Sequence, residues 1–186
     1  MLSYHQLPRD LPAPIDDRAC DHLEGISLPD VALLATNNVT VNFSDIPGRV
    51  VIYLYPMTGR PDVELPNGWD QIAGARSCTP QSCSFRDHYQ DLRALNVSMY
   101  GLNTQVIDYQ TEARDRLHLP FQLVSDKGFD FINSLSLPTF DVEGATLSKQ
   151  VTLIANRGII ETVFYPVFPP DKNANEVMAY SNESQA

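Results

Sequence analysis

The sequence of 186 residues is poor in charge: only 19% of it is Asp, Glu, Lys or Arg. Cations are scarcer still, with 13 Lys and Arg against 23 Asp and Glu and a net charge of −10. A chain this short of cations offers no basic surface to neutralise phosphates, which excludes nucleic acid as a partner. The same deficit disfavours an anionic membrane surface. Long apolar runs are missing too. Val50 to Leu54 is the longest, far below the roughly 20 residues that span a bilayer. The first residues, Met1 to Asp17, lack the apolar stretch of a secretory signal, so a cytoplasmic location is expected. Three cysteines are too few, and odd in number, for a disulfide framework.

What remains is enough for one ordinary core. Hydrophobic residues make up 43%, and the length suits one domain of roughly 100–200 residues with a tail. Prolines in Leu7–Asp17 fix an extended arm, so residues 1–24 read as an N-terminal arm and 25–186 as a single domain. A helical turn is expected at Asp17–His22, then strands at Leu28–Ala35 and Val39–Phe43 about an Asn37-Asn38 turn. Val50 to Tyr55 is a continuous β-branched and aromatic run, the pattern of a strand buried on both faces. Met57 to Ser77 is long, irregular and holds the single tryptophan, Trp69; loops of this length in compact domains carry function or disorder. The spacing of Phe85, Tyr89, Leu92 and Leu95 predicts a helix from Cys78 through about Leu95, opened by Thr79 as a capping hydroxyl and by Pro80. A strand at Val97–Leu102, a helix at Val106–Leu117, a strand at Phe121–Val124 and a short helix at Gly128–Leu135 follow. A hairpin, Val151–Ala155 with Ile159–Phe164, and a helix at Asn173–Tyr180 close the chain. This alternation predicts a largely parallel sheet with helices on both faces and an antiparallel edge. The fold class is α/β, a thioredoxin-like sandwich with a mixed central sheet, flanking helices and an N-terminal extension.

The chemistry concentrates at Cys78, where a loop leaving a buried strand enters a helix. The unsatisfied N–H groups and positive end of that helix favour the thiolate, the reactive form, and Arg76 and Arg86 add positive charge nearby. Cys83 stands five positions on. On an intact helix those two side chains are about 140° apart and separated by roughly 7.5 Å of rise, too far for a disulfide. A Cys78–Cys83 bond therefore requires the first turns to unwind. Zinc needs three or four ligands and no further Cys/His pair is near in sequence, so no metal is assigned. The spacing is not C-x-x-C, which argues against a thioredoxin-type reductase.

The run Tyr55-Pro56 followed by Cys78-Thr79-Pro80-Gln81-Ser82-Cys83-Ser84-Phe85-Arg86-Asp87 resembles the peroxiredoxins, nearest to their Q type. The resemblance spans roughly residues 25–165 and is most specific around Cys78. It implies that Cys78 is the peroxidatic cysteine, oxidised to sulfenic acid. It further implies that Cys83 is the resolving cysteine and that a thioredoxin-like donor restores both thiols. It implies no cofactor. Three positions depart from the pattern. The family places proline seven and Thr or Ser three residues before the cysteine, where this sequence has Gln71 and Ala75. If Pro56 is the matching proline, the loop is 15 residues longer, and the hydroxyl that orients peroxide either comes from Thr58 or Ser77 or is absent. Ser77 replaces the usual glycine. The family's arginine before the late strand aligns with Gln150, which can donate hydrogen bonds but carries no charge; Arg76 is the substitute cation.

Two functions follow. One is a thiol peroxidase acting on hydrogen peroxide or organic hydroperoxides. The other is a peroxiredoxin-fold protein recruited elsewhere, either as an enzyme on an organic metabolite bound under the Met57–Ser77 loop or as a redox-responsive interaction protein. Catalytic roles are assigned to Cys78, Cys83, Thr58, Arg76 and Gln150, and substrate contacts to Pro56, Trp69 and Ser77. The chain is expected to be a monomer or homodimer, the aromatic and proline-rich stretch Phe164 to Pro170 being a place for a dimer contact. Cys20, in the polar arm, reads as structural or incidental. His5, His22, His88 and His118 are scattered and form no catalytic set.

Overall fold

The computed structural model describes residues 11–184; His5 and the first part of the arm, residues 1–10, lie outside them. The strands are β1 (Ala32–Ala35), β2 (Thr40–Asn42), β3 (Arg49–Leu54), β4 (Val97–Asn103), β5 (Gln122–Ser125), β6 (Thr139–Val142), β7 (Ala145–Ser148), β8 (Val151–Asn156) and β9 (Ile159–Phe164). The helices are α1 (Cys78–Asp87), α2 (Tyr89–Ala94), α3 (Ile107–Arg116), α4 (Asp130–Ser134) and α5 (Asn173–Glu183). Seven strands form one sheet in the order β2-β1-β5-β4-β3-β8-β9. Among the described residues, only β3–β4 and β4–β5 are parallel; β1, β2, β8 and β9 pair antiparallel. The sheet is mixed, as expected, with antiparallel strands on both flanks of its parallel centre rather than at one edge. Among the described residues, no helix is long and apolar enough to cross a membrane.

The central strand β3 does what its sequence dictates. It alternates Val50, Ile52 and Leu54 toward one apolar layer with Val51 and Tyr53 toward the other, and every one of these is buried. The first layer is closed by α4 through Phe131 and Ile132, and by Cys20, Leu23 and Leu28 from the N-terminal segment. The second is closed by α1, α2, α3 and α5 through Phe85, Leu92, Ala113 and Val177. Gly101 in β4 makes room for this layer: a Cβ there would stand 2.7 Å from the Tyr53 ring and from Leu123. The Tyr53 hydroxyl then reaches Ser82 Oγ at 3.0 Å, tying α1 to the sheet.

Four local expectations change. Strand β1 begins at Ala32 rather than Leu28, because Pro29 cannot donate to a ladder. The helix from Cys78 to Leu95 is two helices, broken at His88, whose ring Nδ1–H bonds the Ser84 carbonyl at 2.8 Å and whose backbone leaves helical angles. Ser77 rather than Thr79 precedes the first helical residue, with no side-chain cap. Finally, β6 and β7 pair as a separate hairpin where the sequence pattern predicts no strand. Its two turn residues, Glu143 and Gly144, both have positive φ, the geometry of the tight hairpin turn.

The hairpin gives the long loop something to fold on. Trp69, Ala75, Val142 and Leu147 form a third apolar cluster, joined by Met57, Leu65, Ile72 and Phe140. Asn67 donates from its backbone and side chain to the Glu143 carboxylate at 3.1 and 2.7 Å. The stretch 57–77 is therefore an ordered cover beside the start of α1.

Candidate active site at the start of helix α1

The loop delivers Cys78 to the first position of α1 through Ser77, which holds a left-handed φ of 85°. That conformation suits glycine, and it accounts for the departure noted in the sequence: a serine stands where the chain turns as a glycine would. The Ser77 hydroxyl is buried without a hydrogen-bond partner. Pro80 at the third helical position wastes nothing, since that N–H has no partner inside a helix.

Cys78 is 5% exposed. Its thiol donates to the Ala75 carbonyl at 3.6 Å, so the neutral form is the one the backbone holds. Burial pushes the thiol up to about 12. The backbone N–H groups of Met57 and Cys78 and the Gln150 amide oppose that rise, with Gln150 Nε2 4.0 Å from the sulfur. The expected lowering by the helix start is outweighed by burial. All three thiols, Cys20, Cys78 and Cys83, are free. Cys83 is half-buried against the same apolar layer as Cys78. Its thiol is also raised by burial, against the pull of Arg86.

In front of the sulfur is a cavity of about 40 Å³, lined by Met57, Trp69, Arg76, Ser77 and Cys78 among others. At roughly 10–15 Å³ per water-sized centre, it takes about three or four heavy atoms. The structure thus gathers Cys78, Ser77, Trp69, Arg76 and Gln150. Trp69 reaches the cavity from the buried third cluster. Arg76 is ion-paired to Asp70, so its charge is already engaged. Two predicted residues stand apart. Thr58 falls between cavity residues Met57 and Gly59, is itself buried, and its backbone is gripped by the Gln105 amide. Pro56 is buried where β3 ends and does not line the cavity.

Residues that sequence reasoning missed lie behind the sulfur. Gln150 Nε2 also donates to Gln81 Oε1 at 3.5 Å, and Gln81 Nε2 to Asn173 Oδ1 at 3.2 Å. Thr152 donates to the same Asn173 oxygen at 2.7 Å. Gln81 was findable, for position i+3 on a helix shares a face with Cys78; Asn173, on α5, left no such signal. The other side of Gln150 lines a larger cavity of about 340 Å³, between the arm at Pro14 and Ile15 and the segment Tyr165 to Val167. Lys149 and Tyr165 both bond Asp17 there, at 2.7 Å each.

A family model described as Redoxin matches residues 23–178. The chain belongs to the redoxin family. Among curated relatives of this redoxin, the chloroplastic peroxiredoxin Q of Oryza sativa subsp. japonica is 26% identical over 156 residues, covering 83% of this chain and 64% of the rice protein. The peroxiredoxin Q of Suaeda salsa is 25% identical over 158 residues, 84% of this chain and 66% of its own length. The chain therefore spans just under two thirds of these relatives. Of solved structures, peroxidoxin BcpB from Mycobacterium tuberculosis superposes with a TM-score of 0.71 at 19% identity, covering 87% of this redoxin and 98% of that chain. A cysteine variant of PrxQ from Xylella fastidiosa gives 0.72 at 16% identity, covering 89% and 99%. The sandwich is the thioredoxin-like peroxiredoxin fold, and this redoxin is a divergent member similar to the Q type.

Proposed function

We propose that the chain is a thiol peroxidase in which Cys78 is the peroxidatic and Cys83 the resolving cysteine. The observation that carries this is that Cys78 lines a cavity of about 40 Å³ with its thiol facing two backbone N–H donors and one amide donor. A thiolate, formed when the S–H proton leaves the Ala75 carbonyl, attacks the near oxygen of the peroxide. The S–O bond forms as O–O breaks; sulfur is oxidised, and the departing oxygen takes the proton to leave as water or an alcohol. The cavity favours hydrogen peroxide and small hydroperoxides. The Cys83 thiol then displaces hydroxide from the sulfenic acid, giving a disulfide and water. With α1 continuous from Cys78 to Asp87, that second step requires its first turns to open. A thioredoxin-like dithiol returns both cysteines to the reduced state by exchange. The larger cavity does not support the reading of an organic metabolite as substrate, since Cys78 is not among its lining residues.

The test is peroxide treatment of the reduced protein followed by mass spectrometry. Wild type should lose the mass of two hydrogen atoms in a Cys78–Cys83 disulfide, and Cys83→Ser should stop at one added oxygen on Cys78. An unmodified Cys78 under turnover would reject the proposal.

A further inference from the structure

Gln150 occupies the place of a cation, so what it does at the sulfur depends on which end of its amide points there. An amide nitrogen donates; an amide oxygen accepts and would repel a thiolate. Nothing in Gln150 itself decides between the two. The deciding group is three side chains away. Glu176, exposed on α5, can only accept when ionised, and Asn173 Nδ2 donates to its Oε2 at 3.3 Å. That turns Asn173 Oδ1 inward, where it accepts from Gln81 Nε2 at 3.2 Å and from Thr152 at 2.7 Å. Gln81 must therefore present its oxygen to Gln150, which gives its Nε2 to Gln81 at 3.5 Å and to Cys78 Sγ at 4.0 Å. Each amide has one polarity, and each fixes the next. The Gln150 oxygen is left buried without a partner, as a chain oriented from its far end would leave it. Gln81, Gln150, Thr152 and Asn173 are all at most 3% exposed.

We infer that Glu176 is a positioning residue for Cys78, acting through Asn173 and Gln81 to hold the Gln150 amide with its N–H toward the sulfur. The inference rests on the reading of Cys78 as the reacting thiol. Its test needs no peroxide, so a failure of the peroxidase proposal would not be mistaken for a failure of this one.

The test is the pH profile of Cys78 alkylation by iodoacetamide in the reduced, full-length protein, with the Cys78 adduct resolved by mass spectrometry. Glu176→Lys replaces an acceptor with a donor at an exposed position that folding tolerates. Its ammonium turns the Asn173 oxygen outward or leaves the chain free to flip, and Gln150 then offers oxygen to the sulfur. The expected result is a rise of the Cys78 midpoint, with alkylation at a fixed neutral pH about tenfold slower. Charge alone predicts the reverse, because an added cation favours thiolate. The double variant Asn173→Asp with Glu176→Lys should restore the wild-type profile: the carboxylate it introduces accepts from Gln81 in either orientation, and the lysine neutralises it. An unchanged or lowered midpoint in Glu176→Lys would overturn the inference, as would a folded double variant that keeps the raised midpoint.

Discussion

Cys78 and Cys20 are both buried, and both thiols are pushed up to about 12. The regions around them differ in what stands beside burial. At Cys20, Asp17, Asp16 and Asp21 add to the rise, and only Lys149 opposes it. At Cys78 burial acts against hydrogen-bond donors, the Met57 and Cys78 N–H groups and Gln150. Cys78 also lines a cavity. Exposing Cys78 would remove the one cause that raises its thiol, whereas the carboxylates beside Cys20 in the sequence would go on raising that thiol. A raised thiol is not by itself an inert one; what matters is whether burial is the whole cause.

The largest difference should be in turnover. Cys78→Ser is expected to abolish peroxide consumption above the uncatalysed rate, whereas Cys20→Ala should leave it unchanged. The second variant should cost about 1 kcal/mol through the buried volume it deletes, or roughly 2–4 °C in Tm. Peroxide consumption and thermal unfolding on the same preparations check both, and activity surviving in Cys78→Ser would erase the distinction between the two regions.

Alkaline pH should reveal what the two thiols share. Each ionises in the unfolded chain near its ordinary value of about 9 and in the fold only near about 12. The unfolded state is thus the one that loses protons first. The contribution of the two thiols to stability should be constant below about pH 9 and then fall by about 1.4 kcal/mol per pH unit for each thiol up to about pH 12. Urea midpoints across that range, in wild type and in Cys20→Ala, should show one thiol's share of that slope removed by the substitution. Alkylation separates them: the Cys78 rate should climb about tenfold per pH unit while Cys20 stays unlabelled in the folded protein.

Gln150→Leu isolates the donor that distinguishes Cys78. Leucine keeps the bulk and removes the N–H, so the thiolate loses one hydrogen bond, and reaction with peroxide at neutral pH should slow about tenfold. Stopped-flow Trp69 fluorescence gives this rate. An unchanged rate would assign the opposition to burial entirely to the backbone N–H groups.

The division between legible and hidden features follows the same physics. The β3 strand was legible because Val50 to Tyr55 is apolar throughout, and the turns at Asn38 and Gly158 because their residue types tolerate positive φ. The β6–β7 hairpin was not, because Thr139 to Ser148 carries only Phe140, Val142 and Leu147 as large apolar signals. Its turn is Glu143-Gly144 rather than the commoner Asn-Gly. Cys78, Cys83 and the Gln150 substitution were visible as local pattern. The balance at the sulfur was not, since burial is a property of the whole fold. Nor was the amide chain, which joins α1, β8 and α5 across about ninety residues of sequence.

The smallest effect concerns the backbone just before each thiol. Ser77 and Arg18 both hold left-handed φ, 85° and 61°, which costs a non-glycine residue about 1–2 kcal/mol. They differ in what the side chain contributes. Ser77 buries a hydroxyl with no partner, so Ser77→Gly relieves the backbone and removes an unsatisfied group. Arg18 is exposed and pairs with Asp21 at 3.0 Å, a contact worth about 0–1 kcal/mol at the surface, so Arg18→Gly gives back part of what it gains. Glycine's greater freedom in the unfolded chain subtracts about 0.5–1 kcal/mol from both. Ser77→Gly should therefore raise Tm by about 2–4 °C and Arg18→Gly should leave it nearly unchanged. Calorimetry on the two variants decides the matter. Equal gains would mean that the buried Ser77 hydroxyl costs nothing, and that the region around Cys78 stores no more strain than the arm that carries Cys20.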